Sequence, residues 1–103
     1  ESNWFVPLLL EQLVVFNRWW WSHRQIKGLI APGALTLSPG LACTSQTYGA
    51  LTGAKYETGL DNSPLFDHAT FLNATHTMNQ VDVGLSAMYS RDCEVLAELA
   101  EDI

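Results

Sequence analysis

An apolar run from about residue 4 to 27 constrains the fold more than any other feature of the sequence. At helical spacing its apolar residues cover most of the helix surface instead of forming one stripe. They are Leu8, Leu9, Leu10, Leu13, Val14, Val15, Phe16, Trp19, Trp20 and Trp21. A helix of this kind is normally buried on several sides. Pro7 fits its first turn, and Gly28 after a basic last turn predicts its end.

A second helix is predicted over about 81–101, where apolar residues recur at steps of three and four. These residues are Val81, Leu85, Met88, Tyr89, Leu96, Leu99 and Ile103. Asn79 or Asp82 is placed to cap its start. The stretch 28–80 shows neither strand alternation nor a helical period. It is predicted to be one loop, much longer than the usual connection of about four to six residues, and loops of that length are often functional.

The predicted plan is therefore all-α, helix – long loop – helix, over residues 1–103. Two helices cannot bury a first helix that is apolar on every side. The sequence thus predicts that packing partners are missing. Either the chain forms oligomers, or it is a fragment of a larger helical protein.

Composition limits the partners. The net charge is −6 with five Lys and Arg, so the chain repels nucleic-acid phosphates and has no basic cluster for an anionic membrane. The first segment has neither the basic start nor the cleavage site of a signal peptide. Polar residues interrupt the apolar run 4–21, so membrane insertion is a minority hypothesis, to be tested by solubility without detergent. Nothing in the sequence fixes the compartment.

No cofactor or metal is expected. His68 and His76 lie near Asp67 but lack a third ligand, and Cys43 and Cys93 have no zinc-type spacing. The two cysteines are predicted to be free thiols, with a single disulfide as the alternative that the sequence does not indicate.

The loop contains the sequence "YETGLDNSP", which starts at Tyr56. Hydrolysis of a glycosidic bond requires a carboxyl that protonates the leaving oxygen and a second carboxylate that activates water or attacks carbon. Glu57 and Asp61 are of that type, while Tyr56 offers an aromatic face and Asn62 an amide for hydroxyl groups. Such residues are also common in solvated turns, and composition alone favours that simpler interpretation.

The longer run "YETGLDNSPLFD" resembles a motif of inverting glycosidases related to glycoside hydrolase family 63. This group includes the mannosyl-oligosaccharide glucosidases and the glucosylglycerate and mannosylglycerate hydrolases. Downstream, "QVDVGLSAMYSRDCEVLAELA" resembles the family's next helix, and upstream "NRWWWSHRQIKGLI" resembles its Trp-rich helix. The resemblance covers most of the chain, but 31–53 has no clear match.

The resemblance implies a fragment of an (α/α)6 toroid and cofactor-free hydrolysis of α-glucosides or α-mannosides. It implies that Asp61 is the general acid and that Tyr56 stacks on the sugar. Glu57 and Asn62 are expected to bind substrate hydroxyls or to brace the loop. Arg24 is equally able to bind substrate or to interact with the helix dipole.

The family's general base is a Glu far downstream, outside these residues. Glu57 is a poor substitute, since an inverting pair flanks the sugar with its carboxyls about 6.5–9.5 Å apart. The chain is therefore predicted to be one part of an inverting α-glycosidase. The 103 residues alone are expected to be inactive because they lack the general base. The alternative is a non-catalytic remnant that binds sugar or serves in assembly. The sequence does not indicate the sugar, the linkage or the oligomeric state.

Overall fold

The structure, a computed structural model, describes residues 4–34 and 51–102 in full and the backbone of 45–50. These residues form three α-helices and two short antiparallel β-hairpins. In chain order the elements are α1 (Phe5–Arg24), β1 (Gln25–Ile26), β2 (Leu29–Ile30), α2 (Ser45–Thr58), a 3-10 helix (Pro64–Phe66), β3 (Phe71–Leu72), β4 (Thr77–Met78) and α3 (Val83–Glu101). The prediction of an all-α segment of an (α/α)6 toroid is therefore wrong in its fold class, because the stretch expected to be a loop holds a helix and strands.

The β1–β2 hairpin explains why α1 ends earlier than predicted. Lys27 and Gly28 form its two-residue turn and have positive φ angles of 52° and 83°. A two-residue hairpin turn of this type requires positive φ at both central residues. Gly28 therefore completes a hairpin turn, whereas the helix has already ended at Arg24.

Helix α2 and the strands gave no periodic signal in the sequence. The helix carries Gly49 and Gly53 and few large apolar residues, so no apolar stripe marks it. Each strand is two residues long, which is too short for alternation to be visible.

The residues after β2 join the two hairpins. Gly33 forms an isolated bridge with Thr77, and the backbone N–H of Met78 donates to the carbonyl of Pro32 at 2.8 Å. A Cβ at Gly33 would collide with the backbone oxygen of His76 and lie 2.8 Å from Nε of Arg24. This close approach of three segments therefore requires glycine at position 33.

A small buried core and a contact between two helices hold the elements together. Ala54, Phe66, Ala69 and Met78 form a small core beneath α2 and the 3-10 helix. Helices α1 and α3 pack against each other, and the Nδ2 of Asn17 donates across this interface to Oδ2 of Asp92 at 2.8 Å. Ala54 precedes and Phe66 follows the motif that begins at Tyr56, so the small core lies beside the predicted sugar-binding residues.

Helix α3 agrees well with the sequence. Asp82 is its N-cap and accepts a hydrogen bond from the backbone N–H of Gly84 at 3.0 Å, which confirms one of the two predicted caps. Leu85 and Leu96 are buried as the periodicity predicts, whereas Met88 is exposed. Cys93 is a free thiol; Cys43 and Ile103 lie outside the described residues.

Most of α1 is not covered. Among its described residues only Val6, Asn17 and Arg24 are buried, although burial on several sides was expected. The large exposed apolar residues of this helix are Phe5, Leu8, Leu9, Leu13, Val15, Phe16 and Trp21. In the part of the chain that the structure describes, no helix is long and apolar enough to cross a membrane.

Candidate functional site

The motif that begins at Tyr56 is divided between the end of α2 and the turn that follows. Tyr56 and Glu57 lie in the last turn of the helix. Gly59, with a φ of 74°, ends the helix, and its N–H donates to the carbonyl of Tyr56 at 3.1 Å. A glycine with positive φ just past a helix is a common terminator. The sequence Tyr-Glu-Thr-Gly is thus a helix end, not open loop.

Asp61 and Asn62 occupy the two central positions of a tight turn. The N–H of Ser63 donates to the carbonyl of Leu60 at 3.0 Å and closes that turn. Both central side chains are exposed to solvent. Thr58 Oγ1 accepts the N–H of Leu60 at 2.9 Å, which links the turn to the end of the helix. The turn therefore presents a carboxyl and an amide side by side on the surface.

The far side of this turn is also fixed. Ser63 is extended, with φ −68° and ψ 132°, as expected of a residue before proline. Its hydroxyl accepts the N–H of Leu65 at 3.2 Å and caps the 3-10 helix. Phe66 in that short helix is fully buried. Pro64 at the start of the 3-10 helix restricts Ser63 to this extended geometry.

Glu57 is bound to Arg24, an arrangement that the sequence did not predict. Nε of Arg24 donates to Oε1 of Glu57 at 2.7 Å, and Nη2 donates to Oε2 at 3.0 Å. The arginine side chain is 2% exposed and the glutamate side chain 21% exposed. Arg24 thus has a carboxylate partner that neither of its two predicted roles included. The two residues are too far apart in sequence for any local pattern to pair them.

Gly33 and Trp19 complete the surroundings of this ion pair. The N–H of Gly33 donates to Oε1 of Glu57 at 3.3 Å, and the guanidinium carbon of Arg24 lies 4.7 Å from the centre of a Trp19 ring. Nη1 of Arg24 donates to the carbonyl of His23 at 3.1 Å. The guanidinium is therefore held by a carboxylate, a carbonyl and an aromatic face.

The three consecutive tryptophans point to different surroundings. Trp21 stacks on Tyr89 with ring centres 5.9 Å apart, and Trp19 stacks on His23 at 4.9 Å. Trp20 lines an apolar groove of about 230 Å³ between α1 and α3. Its other lining residues are Phe16, Leu85, Met88, Tyr89 and Asp92. Two of the three tryptophans therefore make stacking contacts, and the third lines the groove.

Burial raises the pKa of Tyr89 above its ordinary value of 10.0. A hydrogen bond with Cys93 and the electrostatic interactions with Cys93 and Asp92 act in the same direction. In the described residues no three His, Cys, Asp or Glu side chains are grouped so as to hold a metal ion.

No family model, curated protein or solved structure matches this chain.

Proposed function

We propose that this chain is part of an inverting α-glycosidase that hydrolyses α-glucosides or α-mannosides, with Asp61 as the general acid. One observation carries the proposal. The acid of the glycosidase-like motif lies exposed at the centre of a turn that is hydrogen-bonded at both ends. A carboxyl that protonates a leaving group has to be both accessible and held in place.

In this reaction the bond between the anomeric carbon and the glycosidic oxygen breaks, and Asp61 gives its proton to the departing oxygen. Water attacks the anomeric carbon from the opposite face and loses a proton to a second carboxylate. That carboxylate is expected to be the downstream Glu that the resemblance implies. Asn62 and Tyr56 are proposed to bind a hydroxyl group and a sugar face.

The general acid must hold its proton near neutral pH, and burial of a carboxyl favours the protonated form. Asp61 is exposed in the described structure. We therefore expect the bound sugar, or further protein around the turn, to cover Asp61 during the reaction. This requirement agrees with the proposal that the exposed side of α1 also needs a partner.

A second candidate function is sugar binding or assembly without catalysis. It is favoured by one observation, that both carboxylate oxygens of Glu57 accept hydrogen bonds from Arg24. A carboxylate held in this way is poorly available to activate water. Without another carboxylate across the sugar from Asp61, hydrolysis would be negligible.

The test is to replace Asp61 in the natural protein that carries this chain. Asp61→Asn should lower kcat/KM about 10²–10⁴-fold for glycosides with poor leaving groups, because general acid catalysis contributes about that factor. Glycosyl fluorides need little protonation and should be hydrolysed at a nearly unchanged rate. Asp102→Asn, at an exposed position past α3, is the matched control and should leave both rates unchanged.

An equal loss on both substrate types would contradict the assignment of Asp61 as the acid. Near-normal activity of Asp61→Asn on poor leaving groups would contradict it as well. Sugar binding without any hydrolysis by the wild-type protein would favour the second candidate.

A further inference from the structure

Arg24 and Glu57 form an ion pair in which two nitrogens of the guanidinium each donate to one carboxylate oxygen. Its two parallel N–H···O bonds of 2.7 and 3.0 Å are the bidentate geometry that only arginine provides. No buried side-chain polar atom among the described residues lacks a hydrogen-bond partner. Removing either partner would leave an unpaired charge in a largely buried position, which destabilises the folded chain.

The pair fixes the end of α2 against the end of α1. Arg24 is the last residue of α1, and Glu57 is the next-to-last residue of α2. The N–H of Gly33 approaches the same carboxylate, and the absence of a Cβ there allows the arginine to lie alongside. Three chain segments therefore converge on one carboxylate.

The same carboxylate lies just before the turn that presents Asp61. From Glu57 the chain passes through Thr58, whose Oγ1 donates to the carbonyl of Lys55 at 2.6 Å and accepts the N–H of Leu60. These bonds leave little freedom between the anchored glutamate and the turn. Phe66, fully buried, holds the other side.

We infer that Arg24 and Glu57 are positioning residues that fix the location of Asp61. The inference rests on the proposed function, and it extends that function by assigning two residues to the support of the acid. Of the two expectations for Glu57, bracing the loop is favoured over binding substrate hydroxyls. Arg24 acts through Glu57 and has no contact with substrate in this account.

The experiment measures backbone amide exchange by NMR in the natural protein that carries this chain, in the wild type and in two variants. Arg24→Lys keeps the charge but cannot form the bidentate pair, and Glu57→Gln keeps the shape but loses the charge. Both should raise the amide exchange rates of Gly59, Leu60 and Ser63 by about tenfold. Local opening of the turn costs less free energy in the variants because the bidentate ion pair is already absent. Arg91→Lys, in an exposed pair with Glu94, is the control and should change none of them.

A purely structural role would give a different pattern. If the pair only contributes to overall stability, exchange should rise by the same factor in α3 as in the turn. That result, or unchanged exchange in the turn with both variants, would overturn the inference. If Arg24→Lys fails to fold, Glu57→Gln alone decides between these outcomes.

Activity supplies an independent readout in the natural protein. Both variants should lower kcat while KM stays within about twofold, because the acid is displaced and the sugar contacts remain. A raised KM with unchanged kcat would mean that the pair serves substrate binding, and would overturn the positioning role. A further outcome is that Asp61→Asn leaves activity unchanged while Arg24→Lys still raises amide exchange in the turn around Asp61. That combination would contradict the proposed function but not the link between the ion pair and the turn.

Discussion

Gly33 lies where three segments of the chain approach one another closely. Gly33→Ala should lower the free energy of unfolding by about 1–3 kcal/mol, because the new Cβ meets the rigid backbone oxygen of His76 and the guanidinium of Arg24. Gly84→Ala is the matched control, since its Cβ would lie 3.5 Å from the nearest atom, Oδ1 of Asp82, at ordinary contact distance. Chemical denaturation measures both. Equal stability of the two variants would contradict the packing described around Gly33.

Tyr89 should make the stability of the chain depend on pH in the alkaline range. Its pKa is raised by burial, then by Cys93 and Asp92, so the folded chain keeps the phenol proton to higher pH than the unfolded chain. The stability linked to Tyr89 is complete below the unfolded pKa of about 10 and is lost as the pH rises from there through the folded pKa. Urea unfolding at several pH values above and below 10 measures this loss. Tyr89→Phe should reduce the decline above pH 10, and an identical decline in both proteins would refute the assignment.

At the scale of elements, the N-cap of α3 is the clearest local determinant. Asp82 is buried, and its carboxylate accepts the N–H of Gly84 at 3.0 Å. Asp82→Ala should cost about 1 kcal/mol in the free energy of unfolding, the usual value of an N-cap. Asp102→Ala is the control, because Asp102 caps the other end only through its backbone N–H. No difference between these two variants by denaturant titration would argue against the cap.

Elements were predictable where the sequence carries a period or a cap. Helix α3 combines both, since its apolar residues recur at helical spacing and Asp82 caps its start. Helix α2 was missed because glycines and polar residues erase its apolar stripe, and the hairpins were missed because their strands are only two residues long. The Arg24–Glu57 pair depends on tertiary packing across distant residues, so the motif indicated Glu57 without indicating its partner.

In the molecule as a whole, the apolar side of α1 is a large surface that no other described element covers. Leu8 and Val15 are each 62% exposed and lie seven residues apart, on the same side of the helix. Large exposed apolar patches usually mark a contact surface. The 103-residue chain should therefore self-associate as its concentration rises, as seen by sedimentation equilibrium. The double variant Leu8→Lys/Val15→Lys should shift the mass toward 11.4 kDa, and a monomeric wild type at every concentration would contradict this prediction.

The proposed function is that this chain supplies the general acid of an inverting α-glycosidase. The most direct measurement follows the first sugar released from an α-glucoside or an α-mannoside by proton NMR, with the natural protein, before the anomers equilibrate. Because water attacks the face opposite the leaving group, we expect the β-anomer to appear first. First appearance of the α-anomer, or no sugar release from any α-glycoside, would contradict it.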